Sequence, residues 1–206
     1  MERSVAKLYF RYGAVSSAKT LNLLAVAHNY QQQSKRVIIV KPAFDVRFGE
    51  MEVKSRAGLV KQADVIVGSE ATTIDLSPFL PLQCILVDEL HFLNPQLIDY
   101  FRFVATYEKI PVICYGLRSD FRSHLFPATQ RLLELADTIE EVKTTCTYCN
   151  KKAIMNLKLL DQKPTLMGPQ IELGAEEKYL PTCYSCYAEK LNLYSPQKKE
   201  KSCQVA

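Results

Sequence analysis

Five short apolar runs constrain the fold of this 206-residue chain more than any other feature of its sequence. They lie near residues 5–10, 36–40, 64–68, 84–88 and 111–116. The runs lack polar alternation and are rich in β-branched residues, which is typical of strands buried on both faces of a parallel sheet. The segments between them are long enough for crossover helices. The sequence therefore predicts an α/β fold in which a parallel sheet is flanked by helices.

Three of the intervening segments have the character of helices. Residues 18–33 are apolar on nearly all sides, as expected for a central helix packed on a sheet. A second helix is predicted to follow Asn94-Pro95, because Asn is a favoured N-cap and Pro is favoured in the first turn. A third helix is predicted over residues 124–137. We expect the resulting α/β domain to span residues 1–141.

The character of the sequence changes beyond that point. Residues 142–193 mix short β-like pieces with Pro, Gly and paired cysteines, so we expect a second, smaller domain there. Residues 194–206 include QKKEKS, the densest cluster of charge, and we expect them to form a flexible tail.

Composition excludes several classes of protein. With 48% hydrophobic and 23% charged residues, the chain is globular and not wholly disordered. Its net charge of +4 is spread along the chain, which gives little support to a nucleic-acid partner. No apolar run approaches the roughly 20 residues that span a bilayer, and the N-terminus resembles neither a secretory signal nor a transit peptide. We therefore expect a cytoplasmic protein that binds neither nucleic acid nor membrane.

The stretch GAVSSAKT, at residues 13–20, is close to the phosphate-loop template G-x-x-x-x-G-K-[ST]. Ala18 stands where the template has its second glycine, and a Cβ there restricts the backbone. In such a loop backbone N–H groups and the lysine bind phosphates, while the hydroxyl binds Mg²⁺. The alternative is a polar turn that leads into a buried helix. The candidate nucleotide-binding residues here are Gly13, Ala14, Val15, Ser16, Ser17, Ala18, Lys19 and Thr20.

The apolar run CILV is followed by Asp88-Glu89. This is the Walker B arrangement, in which a carboxylate at the carboxyl end of a strand helps to hold Mg²⁺. The adjacent Glu can then act as the base for an attacking hydroxyl. Taken alone, the pair could be acidic turn residues after a strand. Together with the loop, on one α/β pattern, it favours a nucleotide site.

Two C-x-x-C pairs lie in the C-terminal third, Cys146 with Cys149 and Cys183 with Cys186. They supply four thiolates, which is the tetrahedral ligand set preferred by structural zinc. Redox dithiols and thiols without a metal are the alternatives. Because four protein ligands leave no open position, we expect this metal to stabilise the fold and not to catalyse.

These elements, in this order, resemble the type II thymidine kinases over about residues 5–190, most closely the bacterial members. LYFRYGAVSSAKT resembles their strand and phosphate loop, and FDVRFGEMEVKSRAGL resembles their D-x-R-[FY] segment with the S-R-x-G that follows. ILVDELHFL resembles their V-D-E-x-Q-F-L, and PVICYGLRSDFRSHLF their CYGLRTDFRGELF. The resemblance implies a P-loop NTPase-like domain with a small C-terminal zinc-binding lasso domain. It also implies transfer of the γ-phosphate of ATP to the 5′-hydroxyl of thymidine, in the salvage of deoxynucleotides for DNA synthesis.

The resemblance further implies a role for each matching residue. Lys19 and Thr20 hold the triphosphate and Mg²⁺, Asp88 organises the metal, and Glu89 takes the proton of the 5′-hydroxyl. The other positions beside the nucleotide are Asp45, Arg47 and His91, which replaces the usual glutamine. The implied thymidine-binding residues are Phe92, Phe121, Tyr179 and the lasso backbone at Gln170, Ile171, Glu172, Leu173 and Gly174.

The resemblance also implies a homotetramer and feedback inhibition by thymidine triphosphate.

Two other interpretations of the sequence compete with this one. DELH is spelled like the DExH box of helicases, but the chain after residue 120 is too short for the second RecA-like domain that helicases need. The stronger rival is a catalytically weakened relative that binds nucleotide, or a partner, without efficient turnover.

Overall fold

The computed structural model of the chain describes residues 6–47, 49–170 and 178–194. The strands are β1 (Leu8–Tyr12), β2 (Val37–Pro42), β3 (Glu52–Lys54), β4 (Val60–Gln62), β5 (Val65–Val67), β6 (Cys84–Val87), β7 (Val112–Gly116), β8 (Thr138–Glu141), β9 (Met155–Leu160), β10 (Lys163–Pro164) and β11 (Tyr179–Thr182). The α-helices are α1 (Lys19–Gln32), α2 (Pro95–Phe103), α3 (Pro127–Leu135) and α4 (Tyr184–Lys190).

The main sheet has six strands in the order β5-β2-β6-β7-β1-β8, and every pairing in it is parallel. Five of these strands coincide with the five apolar runs, which confirms the α/β fold class. The sixth, β8, was not predicted. It is an edge strand whose Ile139 and Glu140 are exposed, so its composition resembles that of a loop. The short antiparallel pair of β3 and β4 was not predicted either.

The three predicted helices are present with modest changes in length. Helix α2 begins as expected, because the Asn94 side chain accepts a hydrogen bond from the backbone N–H of Gln96 at 2.9 Å. The chain then continues through a π-helical turn at Val104–Glu108. Helix α3 is shorter than predicted, at Pro127–Leu135. Within the described ranges, no helix combines the length and the apolar character that crossing a membrane requires.

Both faces of the sheet are covered, which explains the unbroken apolar runs. Along β2, Ile38 and Val40 join the core beneath α2 and α3, whereas Ile39 faces the core beneath α1. Side chains of successive strand residues point to opposite faces, so a strand covered on both sides must be apolar throughout.

The C-terminal segment builds a second, smaller layer of structure. Strands β9 and β11 pair antiparallel, with Asn156 opposite Pro181, and β10 adds to the outer side of β9. Met155, Leu157 and Tyr187 form a small core between this sheet and α4. The Tyr187 hydroxyl donates a hydrogen bond of 2.5 Å to the carbonyl oxygen of Phe121. This bond fastens α4 to the segment that follows β7.

Candidate functional site

A cavity of about 440 Å³ lies where the loops after β1, β2, β6 and β7 meet. Parallel strands end at a common edge, so loops far apart in sequence converge there. Gly13 and Ala14 are not part of the lining, and Ile171, Glu172, Leu173 and Gly174 lie outside the described residues. The predicted residues that do line the cavity are Val15, Ser16, Ser17, Ala18, Lys19, Thr20, Asp45, Arg47, Asp88, Glu89, His91, Phe92, Phe121, Gln170 and Tyr179.

The loop between β1 and α1 has the backbone of an anion-binding turn. Ser16 and Ala18 both adopt left-handed conformations, with φ of 59° and 64°. Residues alternating in this way turn successive backbone N–H groups toward one side, where they can bind an anion. Gly13 is required for a different reason: a Cβ there would lie 2.4 Å from the carbonyl oxygen of Val142. Ala18, in place of the second glycine, thus keeps the left-handed loop conformation, at a cost in backbone strain.

Lys19 is the first residue of α1 and is buried at the centre of this loop. Its Nζ donates to the carbonyl oxygens of Gly13 at 3.2 Å and Ala14 at 2.8 Å. Burial lowers the pKa of Lys19 to about 8, although the carboxylates of Glu89 and Asp88 oppose the shift. The N-terminus of α1 and this ammonium group thus place positive charge at one end of the cavity.

Thr20 and Asp88 contact each other in the wall of the cavity. The Thr20 hydroxyl donates to Oδ2 of Asp88 at 3.0 Å, although the two residues are 68 positions apart in sequence. A hydroxyl and a carboxylate are the hard oxygen ligands that Mg²⁺ prefers. The donor set therefore fits a magnesium ion at this point.

Arg47 connects two carboxylates of the site. Its Nε lies 2.5 Å from Oδ1 of Asp45, and its Nη2 lies 2.6 Å from Oε1 of Glu89. Burial, the largest single influence, would raise the pKa of Glu89. The charge of Arg47, the other positive charges nearby and the hydrogen bond from Arg47 together outweigh burial and lower that pKa to about 2. Burial, followed by the charge of Glu89, raises the pKa of Asp88. Of the two adjacent carboxyl groups, Glu89 is the one held in its ionised form.

His91 is buried beside this network. Its Nδ1 accepts a hydrogen bond from the backbone N–H of Leu117 at 3.2 Å, so the proton of the neutral ring lies on Nε2. Burial lowers the pKa of His91 to about 4, against the opposing effect of Glu89. The Nδ1 atom lies 3.6 Å from Oε2 of Glu89, but because the ring is neutral at neutral pH the two groups do not form an ion pair there.

A group of aromatic side chains forms another part of the cavity wall, which we call the aromatic end. The Phe92 ring lies 5.4 Å from the Phe44 ring, and the Phe121 ring lies 6.1 Å from the Tyr179 ring, measured between centroids. Phe126 completes the lining near His91, with their ring centroids 4.8 Å apart. Such flat apolar walls are suited to a planar ring. Phe44 and Phe126 were not predicted as site residues.

Asp120 is another lining residue, and it was not predicted as a site residue although it lies within the GLRSDFR match. Its Oδ1 accepts from the backbone N–H groups of Arg122 and His124, both at 2.9 Å. Its Oδ2 accepts from Nε2 of Gln170, also at 2.9 Å. Asp120 thus fixes the turn after Phe121 and holds Gln170 against the cavity.

Asn156, on β9, is the missed residue with no signal in any motif. Its Oδ1 accepts from the backbone N–H of Val15 at 2.8 Å, and its Nδ2 donates to the carbonyl oxygen of Ser119 at 2.8 Å. No local pattern could have identified it, because Asn156 and Val15 are 141 positions apart.

The four predicted cysteines come together away from the cavity. The Sγ atoms of Cys146, Cys149, Cys183 and Cys186 all lie within 4.8 Å of one another. Cys149 Sγ is 3.7 Å from both Cys183 Sγ and Cys186 Sγ. Tetrahedral zinc with Zn–S bonds of about 2.3 Å places its sulfur atoms about 3.8 Å apart. The cluster therefore fits a zinc ion with four thiolate ligands.

Comparisons with known proteins agree on one family. The model of the family described as thymidine kinase matches residues 6–187. Thymidine kinase of Lactococcus lactis subsp. lactis (strain IL1403) is 41% identical over 185 residues, which cover 89% of this chain and 97% of that protein. Thymidine kinase of Enterococcus faecalis (strain ATCC 700802 / V583) is also 41% identical over 185 residues, covering 89% of this chain and 95% of that protein.

Among solved structures, Pif1 helicase from Candida albicans gives a TM-score of 0.38 at 8% identity, covering 68% of this chain and 36% of that chain. A likeness this weak bears on neither fold nor function.

Proposed function

Because the chain belongs to the thymidine kinase family, we propose that it transfers the γ-phosphate of ATP to the 5′-hydroxyl of thymidine, with Glu89 as acceptor of the hydroxyl proton. The family consists of nucleoside kinases, so the chain is a phosphotransferase. The observation that carries the assignment of roles is the convergence of a phosphate-type loop, the Thr20–Asp88 contact and the Arg47–Glu89 pair on one cavity.

In the proposed mechanism, the positive end of the cavity binds the triphosphate. The left-handed residues Ser16 and Ala18 aim loop amides at the phosphates, and Lys19 supplies a positive charge. Thr20 and Asp88 would hold Mg²⁺, which when bound neutralises charge that develops on the β- and γ-phosphates. Phosphoryl transfer needs chiefly positioning and charge stabilisation, and these residues provide both.

The thymidine 5′-oxygen attacks the γ-phosphorus while the bond between that phosphorus and the β,γ-bridging oxygen breaks. ADP leaves with the bridging oxygen, and the proton of the hydroxyl passes to a carboxylate oxygen of Glu89. Arg47 keeps Glu89 ionised and limits its motion, since a guanidinium 2.6 Å away stabilises the charged form. Asp45 holds the other side of the same guanidinium.

Thymidine is proposed to bind at the aromatic end, against Phe92, Phe121 and Tyr179. The proposal is supported by the flat walls of this end of the cavity and by the Asp120–Gln170 hydrogen bond. Backbone groups of residues 171–174 are proposed to satisfy the edge of the base, and these residues lie outside the described ranges. The proposal also includes one zinc ion on the four cysteines, a homotetramer and inhibition by thymidine triphosphate.

Glu89→Gln tests the assigned base. General-base catalysis contributes about 10²- to 10⁴-fold, so kcat should fall by at least about a hundredfold, while MgATP still binds in calorimetry. Glu134→Gln is the matched control, because Glu134 is an exposed residue of α3 and should leave kcat unchanged. Wild-type turnover in Glu89→Gln would remove the role of Glu89. No thymidine-dependent ADP formation by the wild-type protein would favour the catalytically weakened relative.

A further inference from the structure

The second layer of structure, which bears the four cysteines, makes a direct polar contact with the phosphate-type loop through Asn156. This side chain is buried, with 3% of its surface exposed, and it lines the cavity. Its carbonyl oxygen accepts from the N–H of Val15, and its amide nitrogen donates to the carbonyl oxygen of Ser119, both at 2.8 Å. One side chain thus joins the loop after β1 to the loop after β7.

The two partners require an amide at this position. A backbone N–H can only donate and a backbone carbonyl can only accept, so the orientation of the Asn156 amide is unambiguous. Aspartate offers no donor at neutral pH, and an aliphatic residue offers neither group. Replacing Asn156 therefore leaves at least one buried backbone group without its partner, which is costly in a low-dielectric interior.

Backbone hydrogen bonds continue this contact toward the cysteine cluster. Asn156 lies opposite Pro181 in the pairing of β9 with β11. The carbonyl oxygen of Pro181 accepts from the backbone N–H of Thr147 at 2.8 Å and from its hydroxyl at 2.9 Å. Thr147 follows Cys146 directly. The metal-ligand segment, the β9–β11 pair and the loop at Val15 are therefore one connected network.

We propose that Asn156 is a positioning residue for the triphosphate: it holds the Val15 N–H, and with it the loop backbone, in the conformation that binds ATP. The inference rests on the proposed function, since it assumes that the loop binds ATP. It assigns to the cysteine-bearing layer a part in ATP affinity that is separate from its part in covering thymidine.

The test compares Asn156→Ala with Thr182→Val in the full-length, zinc-loaded protein. Thr182 is a matched control because it is fully buried on the adjacent strand β11, and its hydroxyl has no hydrogen-bond partner among the described residues. In Asn156→Ala we expect the KM for ATP to rise about tenfold, as the loss of one buried hydrogen-bond partner produces. The KM for thymidine should change less than about threefold, since no base-facing group is altered. Thr182→Val should match the wild type in both.

An ATP KM in Asn156→Ala equal to that of Thr182→Val would overturn the proposal, and so would an equal rise in both substrate constants. If Asn156→Ala does not fold, Asn156→Leu serves instead, because its side chain is close to that of Asn in size and likewise offers no acceptor to the Val15 N–H. Its ATP KM should also rise, and a wild-type value would overturn the proposal. Calorimetry of MgATP binding distinguishes a failure of the proposed function from a failure of the role proposed for Asn156. If the wild-type protein binds MgATP without turnover, only the proposed catalysis is refuted. If the variants bind MgATP with the affinity of the wild type, the role of Asn156 is refuted.

Discussion

Ala18→Gly should stabilise the protein, which is the opposite of what glycine does at most positions. Ala18 immediately precedes α1 with φ of 64° and ψ of 29°. A left-handed conformation costs a residue with a Cβ about 1–2 kcal/mol. Glycine pays no such steric cost, but it enlarges the unfolded ensemble by about 0.4–1 kcal/mol. The Ala18 methyl group is exposed, so its removal gives up no buried contact.

The difference between these effects is a gain of about 0–1.6 kcal/mol in the free energy of unfolding, with a central value of about 0.8 kcal/mol. For a chain of this size, about 1 kcal/mol corresponds to about 2–4 °C in Tm. At the central value the expected rise is therefore about 2–3 °C, measurable by scanning calorimetry. The KM for ATP should not increase, because the loop already has the backbone that glycine prefers.

Ala25→Gly is the matched control, because it removes the same exposed methyl group from the interior of α1. There the backbone is right-handed, and glycine should cost about 1 kcal/mol. Opposite signs for the two substitutions would support the assigned backbone. A loss of Tm in Ala18→Gly comparable to that in Ala25→Gly would refute the reasoning, since it would mean that residue 18 is not left-handed in solution.

Two further predictions concern charge and metal. The folded pKa of His91, lowered by burial to about 4, lies below its ordinary value of 6.5. Between these values the unfolded chain binds a proton that the folded chain does not, so the contribution of His91 to stability is lost as the pH falls from 6.5 to 4, by about 1.4 kcal/mol per pH unit. His91→Gln should therefore lose less Tm than the wild type between pH 7 and 4.5, and parallel Tm curves would contradict this. For the cysteine cluster, native mass spectrometry should find one zinc per chain in the wild type and none in Cys149→Ser, and chelation should lower the Tm of the wild type only. A wild-type protein purified with intact thiols and no metal would contradict the zinc assignment.

The sequence predicted the sheet because burial on both faces leaves a local record. The run at Cys84–Val87 is apolar at every position, and all four of its residues are buried. The edge strand Thr138–Glu141 has no such record, because solvent reaches its side chains and polar residues are tolerated there. The predicted division of the chain after residue 141 stays a prediction.

The residues of the candidate site likewise fall into those that a local sequence pattern reveals and those that it does not. Lys19 and Thr20 end a contiguous motif, and the four cysteines form two short ones, so sequence alone could point to phosphate and metal chemistry. The left-handed backbone of Ala18 could not be predicted from the phosphate-loop template, because the template shows only that Ala18 replaces a glycine. Its conformation depends on the strand before it and the helix after it.

What the sequence determined by itself was the set of elements and the chemical character of its short motifs, since propensity, burial pattern and ligand spacing act over a few neighbouring residues. Only the tertiary structure decided which distant groups share a cavity. Asn156 is the clearest case: its amide satisfies Val15 and Ser119, 141 and 37 positions away. Such contacts arise because strand order brings loop ends together, and strand order is a property of the whole chain.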